Sequence, residues 1–223
     1  MSARTDPLAP AARVRQPCRV DPDDPGPLDR SWPLPRADDV RAALVAAYAE
    51  ESRGYHDLRH LREVCARLEE LAAGGAAYDR DAVLLAAWFH DAVYDGERDA
   101  EERSAVRAQD ALTEVGVPAD VVAEVVRLVR LTETHRPEPG DDNGAALSDA
   151  DLAILASDPV RYAEYAADVR REYAHVDDAD FRRGRDAVLR DLLAKPRLFH
   201  TAYAFEHWEA PARANVEREL AVL

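Results

Sequence analysis

Residues 82–93, AVLLAAWFHDAV, are the most constraining stretch of this 223-residue chain. Read as a helix, the stretch is apolar nearly all round, and a helix without a polar face has to be enclosed by other elements. Its polar end is His90-Asp91, two ionisable side chains at the edge of a core. Buried groups of that kind persist only when they are paired or bound to a cation.

The elements available to enclose it are helical as well. From Asp38 onward Ala, Leu and Val recur at helical spacing among Arg and Glu, and alternating stretches of the β type are almost absent. Helices are predicted over 38–51, 57–73, 79–94, 100–115, 118–134, 149–156, 158–174, 178–194 and 198–221. The breaks fall at Gly74-Gly75, at Gly116 before Pro118, and from Pro137 to Gly144. Within 57–73, Leu58, Leu61, Cys65, Leu68 and Leu71 mark one face turned to a core. The expected fold class is therefore all-α, a helical bundle. Residues 1–36 stand apart, because eight of the 14 prolines fall at or before Pro35 among Asp and Arg. A flexible Pro-rich tail is expected there, followed by a single domain over 37–223. The loop DDNG near Asp141 is flexible in composition and placed to border a pocket.

Charge narrows the function classes. The formal net charge of −15, from 44 acids against 29 bases, argues against a nucleic-acid polymer as partner, since phosphates want a basic face. Lys195 is the only lysine, so recognition of anions falls to arginine, whose fork suits phosphate or carboxylate. No apolar run approaches about 18 residues and Met1 to Trp32 holds no apolar signal segment, so no membrane partner and no secretion are expected. Two cysteines, Cys18 and Cys65, indicate no disulfide framework and fit a cytoplasmic location. Apolar positions on the C-terminal helices leave a homodimer contact and the internal core as alternatives.

Three distant segments offer donors of the metal-binding type: His56 and His60 in YHDLRH, His90-Asp91, and Asp149 and Asp151 in SDADLAIL. His56 and His60 stand four apart and share one side if that segment is already helical. Imidazole nitrogens and carboxylate oxygens without a neighbouring Cys favour Mn²⁺, Fe²⁺, Mg²⁺ or Zn²⁺ as an open-site cofactor over a structural zinc knot. Such a site leaves positions for water and substrate. It supplies what phosphoester hydrolysis needs, an activated water and a polarised phosphoryl oxygen. The plain alternative is a hydrogen-bonded core cluster. Random composition alone gives roughly 0.8 His-Asp dipeptides in such a chain, and His56-Asp57 is a second one, so the weight rests on where His90-Asp91 stands.

The order His60, His90-Asp91, then a distant Asp in ADLAIL resembles the HD-domain superfamily of metal-dependent phosphohydrolases, whose pattern is His, His-Asp, Asp on separate helices of an α-bundle. The strings RGYHDLRH, AAWFHDAVYD, EERSA, LSDADLAIL, YAEYAADVRREY and ARANVEREL are similar to the branch of predicted metal-dependent HD phosphohydrolases and span most of 38–223. The resemblance implies that His60, His90 and Asp91 are metal ligands and that the fourth comes from SDADL. Asp151 is the better match there. Asp149, two residues earlier and on a different side of the helix, is the substitute or a neighbour of the ligand set.

His56 is then left to line the pocket and touch substrate or bound water, and Asp91 to orient the nucleophile. Glu101 or Glu102 is a candidate general base or water-orienting group, although Glu pairs at a helix start also simply favour the dipole. Arg53 and Tyr55 are candidates to clamp a phosphate, with an ion pair the alternative for Arg53. His135 either faces the pocket or satisfies carbonyls at a helix end. His175, His200 and His207 form no constellation, Arg185 and Arg213 are placed to bridge helices, and Tyr162, Tyr165 and Tyr173 are read as packing. The expected activity is hydrolysis of a small phosphorylated metabolite or nucleotide. The rivals are a metal- and nucleotide-binding sensor without turnover, and a helical scaffold.

Overall fold

The computed structural model describes residues 27–96 and 99–223. Cys18 and the expected flexibility of residues 1–26 lie outside them. Among the described residues the regular elements are all helical: α1 (Pro27–Ser31), α2 (Asp38–Tyr48), α3 (Leu58–Ala73), α4 (Arg80–Phe89), α5 (Ala100–Glu114), α6 (Ala119–Leu131), α7 (Asp142–Leu152) running into a 3-10 turn at Ala153–Ala156, α8 (Pro159–Glu172), α9 (Asp178–Ala194), α10 (Ala202–His207) and α11 (Glu209–Leu220). The chain is an all-α bundle. None of these helices is long and apolar enough to cross a membrane.

The apolar run behaves as its composition requires. Asp79 caps α4 by accepting from the Ala82 amide at 3.2 Å, and every side chain from Ala82 to Phe89 is buried. The helices α3, α5, α6 and α7 pack around it. Trp88, at its buried end, donates its indole N–H to Ser31 Oγ at 3.2 Å and meets Trp32 edge-on at 5.0 Å. Leu28, Ser31 and Trp32 are therefore core, so the packed unit starts well before residue 37. The proline content hid this, because three well-placed side chains are enough to anchor one short turn.

Three departures from the predicted helix spans have a clear physical cause. α4 stops at Phe89 instead of running to 94, because the guanidinium of Arg53 takes the Asp91 and Ala92 carbonyls at 2.8 and 3.4 Å and Arg107 takes Ala92 at 2.7 Å. α7 begins at Asp142, so DDNG is a helix start and not a loop: Asp141 accepts from the Gly144 amide at 2.9 Å. Gly144 is needed there, since a Cβ would run into Asp141 and Leu131. The stretch expected as one helix over 198–221 is broken at the buried Trp208, with Thr201 capping α10 through the Ala204 amide at 3.2 Å.

Candidate metal centre

Asp57 caps α3 by accepting from the Arg59 and His60 amides at 2.7 and 3.2 Å, which puts His60 in the first turn and leaves His56 outside the helix. The two rings still approach, with centroids 5.5 Å apart. Their proximity comes from the turn before the cap, not from a shared helix face. His60 points inward and is buried, and its Nδ1 meets the Tyr55 hydroxyl at 3.0 Å. His90 caps the C-terminus of α4, where its Nδ1–H donates to the Ala87 carbonyl at 2.8 Å. That bond fixes the tautomer, so the Nε2 lone pair of neutral His90 points away from its own helix.

The two Nε2 atoms face each other at 3.0 Å. Two imidazolium N–H groups cannot do so, and at most one proton fits between them. Asp91 Oδ2 lies 3.0 Å from His90 Nε2 and 3.3 Å from His60 Nε2, while Asp151 Oδ1 lies 3.2 Å from His60 Nε2 and 3.6 Å from His90 Nε2. Asp91 Oδ2 is buried and accepts no hydrogen bond of good geometry. Neighbouring ligands around one ion with bonds of ~2.0–2.2 Å are about this far apart. His60, His90 and Asp91 form a group that could hold a metal ion.

Electrostatics hold the cluster together. Burial alone would pull the His60 imidazole down, but Asp151 and Asp91 outweigh it and lift His60 to about 9. The carboxylates, Asp91 foremost, favour a proton on His90 as well against burial, so the two rings compete for the one proton that fits between their Nε2 atoms. Burial pushes Asp91 and Asp151 up, yet the imidazoles override it and hold both carboxyls well below the usual range. The result is a compact arrangement of nitrogen and carboxylate donors with little solvent, which is what a cation requires.

The two aspartates of SDADL separate. Asp151 stands at the cluster, and its Oδ2 also reaches to 3.5 Å from His135 Nε2. Asp149 turns away and is used elsewhere: it accepts from the His200 amide at 2.8 Å and from the Thr201 amide and hydroxyl, each at 2.7 Å. Asp149 is thus the anchor for the start of α10 and no substitute ligand. His135 follows α6 at a positive φ of 50°, with Nδ1 3.3 Å from Ser148 Oγ, and burial lowers its pKa.

Other expected residues are placed differently. Arg53 is buried, and besides Asp91 and Ala92 it donates to the His56 carbonyl at 2.9 Å, so it braces the loop and is not a phosphate clamp. Tyr55 orients His60 and lines the adjoining cavity. Glu102 is exposed and committed to Arg130 across the α5–α6 contact at 2.6 and 2.7 Å. Neither it nor Glu101 lines a cavity that reaches the cluster, so the expected base role has no geometry behind it. Sequence reasoning missed Glu172. It accepts from the Gly54 and His56 amides at 3.0 and 3.2 Å and pairs with His56 Nδ1 at 2.7 Å. Tyr94, stacked on His56 at 3.9 Å, was also missed.

The chain matches no protein-family model, no curated protein and no solved structure.

Proposed function

We propose that this chain is a metal-dependent phosphohydrolase of the HD-domain type, acting on a small phosphorylated compound. The observation that carries the reading is the convergence of His60 Nε2, His90 Nε2, Asp91 Oδ2 and Asp151 Oδ1, from α3, the end of α4 and α7, beside an open cavity. The two-nitrogen, two-carboxylate donor set without thiolate suits Mn²⁺, Fe²⁺ or Zn²⁺, and Mg²⁺ less well because of the imidazoles. Such an ion supplies an activated water and polarises a phosphoryl oxygen.

The residues around it divide the remaining work. The Ala87 carbonyl and the Tyr55 hydroxyl hold the two imidazoles in place by their Nδ1 atoms. His56, anchored through Nδ1 on Glu172, has Nε2 left to give a proton to a departing alcohol at the cavity wall. Arg53 keeps the Asp91 backbone fixed.

The test is elemental analysis of the full chain and of His90→Ala after Mn²⁺ loading, with phosphate release from a panel of monoesters, sugar phosphates and nucleotides. Near-stoichiometric metal and metal-dependent release, both lost in the variant, are expected. Metal without release from any ester replaces this reading with the sensor, and no metal in either protein removes it.

A further inference from the structure

Next to the cluster lies a cavity of about 530 Å³, running from Tyr55, His56, His135 and Asp151 out to Phe181, Val188 and Leu192. Its size is that of an ordinary small-molecule pocket. Its walls are mainly aliphatic and aromatic, with the rings of Tyr94, Tyr165 and Tyr173 among them. Two of these tyrosines belong to the set expected to serve packing alone.

Away from His56 Nε2, most polar groups of the wall already have a partner. Among the described residues Arg185 is the only guanidinium or ammonium group of the lining, and it is held by Glu219 at 2.7 and 3.0 Å and by the Tyr165 hydroxyl at 3.0 Å. Asp180 pairs with Arg183. The Tyr94 and Tyr173 hydroxyls bond each other at 3.2 Å, Tyr55 is bound to His60, and His56 to Glu172. A second or third phosphate would therefore enter a chain of net charge −15 with no cation to meet it. A nucleobase or a sugar would bury most of its donors and acceptors against a mainly apolar wall that leaves few groups to pair with them, which is costly.

We propose that this cavity takes the organic part of a phosphate monoester whose alcohol is a hydrocarbon, aliphatic or aromatic, and not a nucleoside or a sugar. The placement of its phosphate at the cluster rests on the phosphohydrolase reading, while the apolar character of the wall does not. Gly184 supplies a probe. It lies on α9 in the cavity wall, and a Cβ there would meet no atom within 4 Å, so Gly184→Leu fills the space without moving the backbone.

The experiment is calorimetric titration of n-alkylphosphonates from ethyl to octyl into the full chain, both metal-free and Mn²⁺-loaded, beside adenosine monophosphate and glycerol phosphate. Affinity is expected to rise about two- to fourfold per added methylene, with a negative heat-capacity change. Gly184→Leu should weaken octylphosphonate by at least about tenfold, as several methylenes lose their place, and leave ethylphosphonate unchanged. A flat series, tighter binding of adenosine monophosphate than of octylphosphonate, or indifference to Gly184→Leu overturns the proposal. Phosphate release from octyl phosphate is read separately. A steep series without metal-dependent release defeats the hydrolase reading and leaves the cavity assignment standing, and release with a flat series does the reverse.

Discussion

Asp149 and Asp151 are chemically alike and two residues apart, yet a helix turns roughly 200° over that interval and sends them to different neighbours. Asp151 joins the imidazoles, whereas Asp149 ties α7 to the chain entering α10. Burial pushes the Asp149 carboxyl up to about 6, against the pull of the two amides and the hydroxyl that it accepts from. Asn at 149 would turn an N–H₂ group toward a backbone N–H, and Asp149→Asn is expected to cost about 1–3 kcal/mol in urea unfolding with bound Mn²⁺ unchanged. Asp151→Asn is expected to lose the metal, and because the imidazoles hold the Asp151 carboxyl down, the metal-free fold loses stability as well, so bound Mn²⁺ is the readout that separates the two variants. Loss of metal in Asp149→Asn would return that residue to the ligand set. The sequence left the pair as alternatives for a physical reason. Spacing says that they diverge, but which one faces the imidazoles depends on the packing of His200 and Thr201, some fifty residues further on.

At the level of elements, the segment carrying Arg53 to His56 is held between two helices. Arg53 fastens it to the end of α4, and Glu172 fastens it to α8, where a Cβ on Gly54 would run into Asp168 and Glu172. Burial raises the Glu172 carboxyl, but the hydrogen bonds from His56 and Gly54 outweigh it and the group sits below its ordinary value. A carboxyl depressed in the folded state contributes stability that is complete above its unfolded pKa and is lost as pH falls through the folded one. Glu172→Gln is thus expected to be less stable than the native chain by about 1–3 kcal/mol at neutral pH, with the gap closing as the pH drops below about 4.5. Urea unfolding of both proteins from pH 7 to pH 3 reads this directly, and a gap that stays constant with pH removes Glu172 as a charged anchor. Nothing in the periodicity pointed to this residue, one of 44 acids, because its partners lie 116 and 118 residues away. The helices themselves were legible, since α4 and the apolar face of α3 are fixed by composition and spacing. Their ends were not, because Arg53, Asp141 and Trp208 set them through hydrogen bonds and packing that no local pattern records.

For the whole molecule, a cation held by His60, His90 and Asp91 would join α3 to the end of α4, with Asp151 of α7 beside it, and these helices are packed around one core. Any ligand that binds only the folded chain stabilises it, by about 2.7 kcal/mol at a hundredfold excess over Kd. For a chain of this size each kcal/mol shifts Tm by ~2–4 °C, so saturating Mn²⁺ is expected to raise Tm by about 5–10 °C, reversibly with chelator. The net charge of −15 introduces a competing effect, because any divalent ion also relieves repulsion among surface acids. The two causes differ in their response to salt. Surface relief is screened and is already supplied by molar NaCl, whereas the cluster is buried and keeps its demand for an ion. The rise should therefore survive high salt in the native chain and vanish in His90→Ala under the same conditions. A rise that disappears with salt in both proteins would assign the effect to the surface and leave His60, His90, Asp91 and Asp151 as a self-satisfied cluster of acids and imidazoles.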